Sequence, residues 1–198
     1  RDTSVTGVQT CALPICSIIV PGSNQANNGV IEKYCHGGIN SNAASGNCET
    51  YGGLYQWDEM MQYITTPGTQ GVCPTGWHIP TDAEWITMEE ALGMCTGAGA
   101  GCSGATGLRG TDQGDQLKIV SDCFGGVKCG VSGFEALLAG NRVPAGLFSN
   151  KGSNANFWQS SQSSTSSAWS RYVNSGNALV DRSPINKLNG FSVRCIKD

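Results

Sequence analysis

The chain has 198 residues, enough for one hydrophobic core, since single domains commonly hold about 100–200 residues. Only 14% of its residues are charged while 28 are glycine, so we expect a polar but weakly charged surface. A net charge of −3 without a basic cluster excludes nucleic acid as an expected partner. We find no apolar run long enough to span a membrane and no secretory leader; if the protein is exported, we expect its true start to lie upstream.

Ten cysteines are the strongest compositional signal. A zinc site typically uses Cys or His pairs two to four residues apart, but the sequence has no CxxC pair, and neither His36 nor His78 lies at ligand spacing from another candidate. We therefore predict disulfides and no metal or other cofactor. Such cysteine usage indicates an oxidising compartment outside the cytoplasm.

The N-terminal quarter is poor in apolar residues. Residues 1–15 resemble a translated sequencing adapter, and the alternative is a disordered polar tail. We assign them no function, and we expect both Cys11 and Cys16 to lack native partners. Residues 16–49 are predicted to form a loop-rich extension with at most one short strand.

Two helices are predicted in the middle of the chain. Apolar residues at three- and four-residue steps predict a first helix over 54–64, with an inward stripe of Leu54, Trp57, Met61 and Ile64. Thr81 and Glu84 form a capping-box pattern, which predicts that a second helix begins at Asp82. Its inward stripe is Trp85, Met88 and Leu92, and the glycine-rich sequence from Gly93 onward ends it.

Beyond residue 110 the pattern changes to short strands. We predict them at 133–138, 157–160, 168–173, 178–181 and 191–196, with a hairpin turn at 174–177. Two helices followed by several strands predict an α+β domain with a small, irregular antiparallel sheet.

Five ordered motifs resemble the Fibrobacter succinogenes major paralogous domain family over residues 50–198. They are YGGLYQW (51–57), GVCPTGWHIPTDAEW (71–85), GFEALLAGNR (133–142), FWQSS (157–161) and GFSVRC (190–195). Two of these blocks are also distantly similar to formylglycine-generating enzymes, which implies a C-type lectin-like fold. The resemblance implies a bacterial surface or secreted module, often attached behind a lipoprotein leader or a pilin stalk.

The resemblance also implies one disulfide, Cys73 with Cys195, because related domains carry recurrent cysteines at these positions. The short flexible loops between the other neighbouring cysteines allow three local bridges. These are Cys95 with Cys102, Cys123 with Cys129, and Cys35 with Cys48.

The motifs of an enzyme or a calcium lectin are missing from the sequence. Formylglycine generation needs two reactive cysteines near the end of the domain, where only Cys195 lies, and His78 has no evident nucleophile beside it. The calcium-ligating tripeptides of lectins do not occur. We interpret the carboxylates Asp112 and Asp115 as part of a turn rather than a cation site.

Aromatic residues suggest where a ligand would bind. We predict that Trp57, Trp77 and Trp85 pack in the core, while Trp158 and Trp169 border two candidate contact loops, 140–156 and 160–167. The resemblance itself favours a core position for Trp158. The candidate binding residues are Asn141, Arg142, Trp158, Trp169 and Arg171.

These observations favour an extracellular or cell-surface module that recognises or adheres to a surface glycan or protein. The first alternative is a structural pilin-like or envelope subunit. The second is an enzyme related to the formylglycine-generating enzymes. Fold alone does not decide among them, because one fold can carry many functions.

Overall fold

The structure is a computed structural model that describes residues 17–20, 23–37, 42–126 and 128–198. The predictions for residues 1–15, Cys11 and Cys16 lie outside these residues. The helices are α1 (Asn42–Tyr51), α2 (Trp57–Met60), α3 (Asp82–Ala91) and α4 (Gln113–Leu117), with a 3-10 turn at Val120–Asp122. The strands are β1 (Ser17–Ile19), β2 (Ile31–Lys33), β3 (Trp77–His78), β4 (Gly107–Arg109), β5 (Asn141–Arg142), β6 (Phe148–Ser149), β7 (Asn154–Gln162), β8 (Ser167–Asn174), β9 (Val180–Asn186) and β10 (Ile196–Lys197).

A four-stranded antiparallel sheet in the order β4-β9-β8-β7 forms the centre of the domain. Its β8–β9 hairpin pairs Tyr172 with Asp181, and the turn is closed by the Gly176 amide, which donates to Asn174 Oδ1 at 2.7 Å. The predicted hairpin and α+β class are confirmed. Three two-stranded sheets surround this centre: β1-β2, β3-β10 and β5-β6.

Two large hydrophobic clusters fill the interior, beside a smaller third cluster of Tyr34, Leu54 and Ala139. The first core includes Trp57, Met60, Met61, Cys73, Ile79, Trp158, Phe191 and Cys195. The second core includes Trp85, Leu117, Phe134, Leu138, Ala155, Phe157, Val173 and Val180. Consecutive residues of β7 thus supply both cores, Phe157 the second and Trp158 the first. Trp57 and Trp85 are buried and Trp77 packs against the first core, as predicted.

Helix α3 begins at Asp82 as predicted. The Glu84 amide donates to Thr81 Oγ1 at 3.2 Å, and the Thr81 amide donates to Glu84 Oε2 at 2.8 Å. This capping box satisfies two amides that a helix start leaves without intrahelical partners. Trp85 is buried in the second core, and Met88 and Leu92 pack against it.

The first predicted helix is much shorter than expected. Only Trp57–Met60 is α-helical, because Gln62 and Tyr63 adopt positive φ angles of 50° and 61° that end the right-handed turn. Ile64, predicted to face inward, is 49% exposed. The other three residues of the predicted stripe are buried.

The prediction of a loop over residues 16–49 is also corrected. Strands β1 and β2 form a parallel pair, and helix α1 occupies 42–51. The helix lacks an apolar stripe that a sequence pattern could reveal; it is anchored by tertiary contacts instead. Asn47 Nδ2 donates to the His36 carbonyl at 2.6 Å, and Cys48 is bonded to Cys35.

Two predicted strands are largely replaced by irregular backbone. In 133–138, positive φ angles at Gly133 and Glu135 interrupt the pleat, and only Ala136 makes a bridge, to Lys118. The alternation is nevertheless real, since Phe134, Ala136 and Leu138 are all buried. In 191–196, single bridges precede the short strand β10.

The four predicted disulfides are present. The Cα–Cα separations are 5.1 Å for Cys35–Cys48, 5.8 Å for Cys73–Cys195, 4.7 Å for Cys95–Cys102 and 5.9 Å for Cys123–Cys129. Disulfides are typical of proteins in oxidising compartments. In the part of the chain that the structure describes, no helix is both long and apolar enough to cross a bilayer.

Candidate functional site

Three arginines project from the central sheet towards α3. Arg171 on β8 lies opposite Arg182 on β9, and Arg109 on β4 lies opposite Val180. Because side chains two apart on a strand share a face, Val180 and Arg182 place all three arginines on one face of the sheet. Three cations thus lie beneath a single helix.

Glu89 of α3 pairs with two of these arginines. Arg109 Nη1 and Nη2 donate to the two carboxylate oxygens at 2.8 and 2.9 Å, and Arg171 Nε donates to Oε1 at 2.7 Å. The side chains of Glu89, Arg109 and Arg171 are all fully buried. The fork of donors on each guanidinium matches the carboxylate, which offsets the cost of removing these charges from water.

Asp82, at the first turn of α3, continues the network towards the surface. Arg171 Nη1 donates to Oδ1 at 2.8 Å, Arg182 Nε donates to Oδ1 at 2.9 Å, and Arg182 Nη2 bonds Oδ2. Burial by itself raises the pKa of Asp82, but the two guanidinium groups outweigh it and hold the pKa below its usual value. Asp82 is therefore ionised at neutral pH.

Trp169 lies at the outer end of this network. The Arg182 guanidinium carbon is 3.7 Å from the centre of the Trp169 ring, which fixes the indole by a cation–π contact. The ring is half-buried, and its cross-strand neighbour Pro184 is exposed. An oriented aromatic surface beside an arginine–aspartate pair can contact a sugar or a peptide with little loss of side-chain entropy.

The structure buries the other four predicted binding residues. Arg142, Trp158 and Arg171 are at most 1% exposed, and Asn141 is 8% exposed. Their expected role as surface contacts is therefore corrected, and only Trp169 presents part of its side chain to solvent.

Each buried residue has a structural partner. Trp158 packs on Phe191 with ring centres 4.5 Å apart, and its indole N–H donates to the Tyr55 carbonyl at 2.9 Å. The Arg142 guanidinium carbon lies 4.3 Å from the centre of the Tyr34 ring. Asn141 Oδ1 accepts from Asn150 Nδ2 at 2.9 Å.

The two predicted contact loops do not adjoin each other. Segment 140–156 includes the first three residues of β7, whereas 160–167 includes its last three residues and the first residue of β8, so the turns of the two segments lie at opposite ends of β7. The two ends of this nine-residue strand lie about 25 Å apart, at roughly 3.3 Å per residue. The prediction of one contact surface from both loops is therefore corrected, and Trp169 lies near 160–167.

His78 links three parts of the domain. On β3, its ring nitrogens lie 2.7 Å from Asp198 Oδ1 and 2.9 Å from Glu84 Oε1. Burial lowers the pKa of His78, but the bonds to Asp198 and Glu84 raise it by more, so the net shift is upward. Because both partners are acceptors, the doubly protonated imidazolium satisfies both contacts.

The carboxylate Asp115 is part of the folded framework. It accepts from Lys118 Nζ at 2.7 Å and from the Phe124 and Gly126 amides, both at 2.9 Å. Burial raises its pKa, and these donors outweigh that effect and lower it. The donors occupy the carboxylate within the protein, but the predicted turn is corrected, because Asp115 lies in helix α4 and Asp112 is the residue before it.

Sequence reasoning missed four members of the charged network: Asp82, Glu89, Arg109 and Arg182. One signal was available, because Glu89 follows Trp85 by four residues and must lie on the same buried face of α3. Arg171 and Arg182 belong to one hairpin, but Arg109 comes from much earlier in the chain, and its position beside them follows only from the sheet order.

The geometry defines a disulfide-bonded α+β domain whose arginine–carboxylate network supports a half-exposed tryptophan. The family model of the Fibrobacter succinogenes major domain matches residues 25–197, so the chain belongs to this family, as its motifs predicted. Comparison with curated proteins and with solved structures gave no match. The family match begins within the predicted extension, at Gln25, whose backbone amide and Oε1 pair with Oε1 and the amide of Gln56 at 2.8 and 2.7 Å.

Proposed function

We propose that this chain is an extracellular recognition domain with a C-type lectin-like fold and no enzymatic activity. We further propose that Trp169 is the centre of its contact surface for a glycan or protein. The observation that carries this proposal is the indole's position, partly exposed and held with its ring centre 3.7 Å from the Arg182 guanidinium carbon. Aromatic residues with a fixed geometry are common anchors in recognition surfaces.

The charged network beneath the Trp169 ring holds Arg182, and with it the indole, in place. Arg182 is held by Asp82, which also binds the buried Arg171, and Arg171 in turn pairs with Glu89. This chain of charge-assisted bonds leaves the arginine little freedom to move. A ligand at the indole would therefore meet a surface that is already ordered, which lowers the entropic cost of binding.

The extracellular assignment rests on the cysteines. Three of the four disulfides close short loops and the fourth, Cys73–Cys195, joins the middle of the chain to its C-terminal region; such bonds persist in oxidising environments. A cytosolic protein would be expected to keep most of these thiols reduced. Disulfide bonds also stabilise a domain that is displayed outside the cell.

A glycan array, followed by titration calorimetry on any hit, tests the contact surface. We expect Trp169→Ala to weaken binding at least about tenfold, because truncating a central aromatic anchor commonly costs 2 kcal/mol or more. Leu147→Ala is the matched control: Leu147 is 69% exposed but lies in segment 140–156, at the other end of β7. Binding that resists Trp169→Ala and is lost in Leu147→Ala would contradict the proposal.

The same titration in EDTA tests the ligand chemistry. We expect binding to be unchanged by chelation, because the proposed surface relies on an indole and on Arg182, whose donors are paired with Asp82. Calcium sites need six to eight oxygen ligands. Loss of binding in EDTA that calcium restores would show that a cation takes part.

A further inference from the structure

The sequence contains two Asn-Gly dipeptides, Asn28–Gly29 and Asn189–Gly190. In such a pair the asparagine can lose its side-chain amide without an enzyme. The backbone nitrogen of the next residue attacks the side-chain carbonyl carbon, and glycine places no side chain in the way. The two pairs lie in different surroundings, so the fold decides which of them can react.

The Asn28–Gly29 pair lies on the surface, shortly before β2. Both residues are exposed, and a Cβ added to Gly29 would meet no atom within 4 Å. The Gly29 amide makes no hydrogen bond to the described residues, so its nitrogen is available as a nucleophile. There is also space for the chain to bend towards the side chain.

The Asn28 side chain makes two hydrogen bonds. Its Oδ1 accepts from the Val30 amide at 3.0 Å, which makes the carbonyl carbon more electrophilic, and its Nδ2 donates to Glu32 Oε1 at 3.0 Å. Both bonds are exposed to solvent, so they open at little cost. They therefore do not prevent attack by the Gly29 nitrogen.

The Asn189–Gly190 pair is held in a buried backbone ladder. The Gly190 amide donates to the Arg142 carbonyl at 2.8 Å, and the Gly190 carbonyl accepts from the Arg142 amide at 2.9 Å. Gly190 is buried, and a Cβ there would lie 3.1 Å from Arg142 Cβ and 3.2 Å from the Tyr34 ring. Attack by this nitrogen would first have to break a buried backbone bond, in a place without room to rearrange.

We propose that Asn28 is a site of spontaneous deamidation and that the fold protects Asn189 from the same reaction. The Gly29 nitrogen gives its proton to solvent and bonds to Asn28 Cγ. The bond from Cγ to Nδ2 then breaks, and the nitrogen leaves as ammonia with a proton from water. A second water opens the cyclic imide at either carbonyl, which gives aspartate or isoaspartate at position 28. In balance one water is consumed and one ammonia is released, without oxidation or reduction.

The new carboxylate would lie beside Glu32. At present Glu32 accepts from the Ala26 amide at 2.8 Å as well as from Asn28 Nδ2. Deamidation removes the second donor and puts a like charge in its place. The Glu32 amide also donates to Glu59 Oε1 of α2 at 2.8 Å. The modification should therefore loosen the segment 25–32, which is bonded to α2.

Peptide mapping by mass spectrometry tests this assignment, after incubation of the folded protein in mildly alkaline buffer whose water is enriched in ¹⁸O. Uptake of ¹⁸O marks the molecules that reacted during the incubation. We expect conversion at Asn28 to be at least about tenfold faster than at Asn189, because the Gly190 amide must first leave its buried acceptor. Equal rates at the two sites, or faster conversion at Asn189, would overturn the proposal.

The reduced protein in guanidinium chloride is the matched control for the effect of the fold. Both asparagines should then convert at similar rates, because each is followed by glycine. A difference that persisted in the unfolded chain would show that the fold does not protect Asn189, and it would overturn the proposal.

Two variants separate the reaction from its consequence. Asn28→Gln should abolish conversion at position 28, since the longer side chain would have to form a less favourable six-membered ring. Asn28→Asp carries the charge of the product, and we expect it to speed hydrogen exchange of the amides in 25–32 roughly threefold. Conversion of Asn28→Gln at the wild-type rate would overturn the proposed reaction. Unchanged exchange in Asn28→Asp would overturn the proposed loosening.

Discussion

The first core and the second core both surround large aromatic side chains, yet they are held together differently. In the first core the indoles of Trp57 and Trp158 donate to backbone carbonyls, and the Cys73–Cys195 bridge lies inside the cluster. The second core packs Trp85 against Phe134 and Phe157, while Glu89 on the same helix binds buried arginines. One core is closed by a covalent bond, and the other is bordered by paired charges.

The two cores should therefore differ in the substitutions that they tolerate. An apolar core loses stability according to the volume removed and the cavity left behind. A buried ion pair behaves in another way, because removal of one partner leaves the other charged and poorly solvated. Loss of Glu89 should therefore be much worse than its small change in volume suggests.

The largest effect is expected from breaking the covalent closure of the first core. The Cys73–Cys195 bridge spans 122 residues, and the chain-entropy relation gives a stabilisation of about 5 kcal/mol for a loop of this length. We expect the double variant Cys73→Ala/Cys195→Ala to lose most of that free energy of unfolding, as measured by chemical denaturation. Proteolysis should then begin at β10 and the residues before it.

Cys95→Ala/Cys102→Ala is the matched control for this experiment. Its bridge spans only 7 residues, for which the same relation gives about 2.4 kcal/mol. If the short bridge proves to be the more stabilising one, loop entropy cannot be what the long bridge contributes to the first core.

The next largest effect is expected in the second core. Glu89→Gln retains the shape of the side chain but removes the charge that pairs Arg109 and Arg171, both fully buried. Breaking a buried ion pair in this way typically costs about 3–5 kcal/mol. We expect a loss in that range from denaturation curves, together with weaker ordering of Trp169 through Arg182.

Glu90→Gln tests whether position rather than charge explains the result. Glu90 is the next residue of α3, but it is only half-buried and accepts from a single serine hydroxyl, that of Ser103. Its neutralisation should cost about 1 kcal/mol. Similar losses for both variants would contradict the distinction drawn between buried pairs and ordinary hydrogen bonds.

The sequence predicts best those features whose determinants are local. The capping box of α3 depends on Thr81 and Glu84, three residues apart, and the β8–β9 hairpin depends on a turn at 174–177. The Cys73–Cys195 bridge was predictable only through family resemblance, because its partners are distant in the chain.

The features that sequence reasoning missed depend on long-range packing. Trp158 and Trp169 both border the serine-rich loop, but Trp158 pairs with Ser170, so the two indoles lie on opposite faces of the sheet, and Phe191 covers Trp158. The spacing from Trp85 places Glu89 on the buried face of α3, but its arginine partners cannot be named before the three arginine-bearing strands are placed beneath the helix. Single-residue patterns carry no information about that convergence.

The smallest expected effect concerns His78, which bonds Glu84 of α3 and Asp198 beyond β10. β3 leads into Ile79 of the first core, while Glu84 belongs to the helix that carries Trp85 into the second. Asp198 extends the contact to the end of β10. A change in the charge of His78 therefore tests how firmly the two cores are coupled.

The direction in which stability changes with pH follows from the pKa shifts of His78 and Glu84. The pKa of His78 is raised in the folded protein, so its stabilisation is fully present below its ordinary value of about 6.5 and is lost as the pH rises through the folded value. Burial raises the pKa of Glu84, but the bonds from Thr81 and His78 lower it by more, so the net shift is downward. The stability that Glu84 contributes is therefore lost only at acidic pH. Stability from this contact should therefore peak between the two folded pKa values.

Denaturation midpoints measured from pH 5 to pH 9 test this expectation. Because Glu84 and Asp198 are 36% and 59% exposed, solvent screens the contact, and the decline above the His78 pKa should be only about 0.5 kcal/mol. His78→Gln should remove the alkaline decline, since glutamine keeps a hydrogen-bonding group but does not titrate in this range. A wild-type midpoint that rises from pH 6 to pH 9, or an unchanged decline in His78→Gln, would show that other groups control the coupling of the two cores.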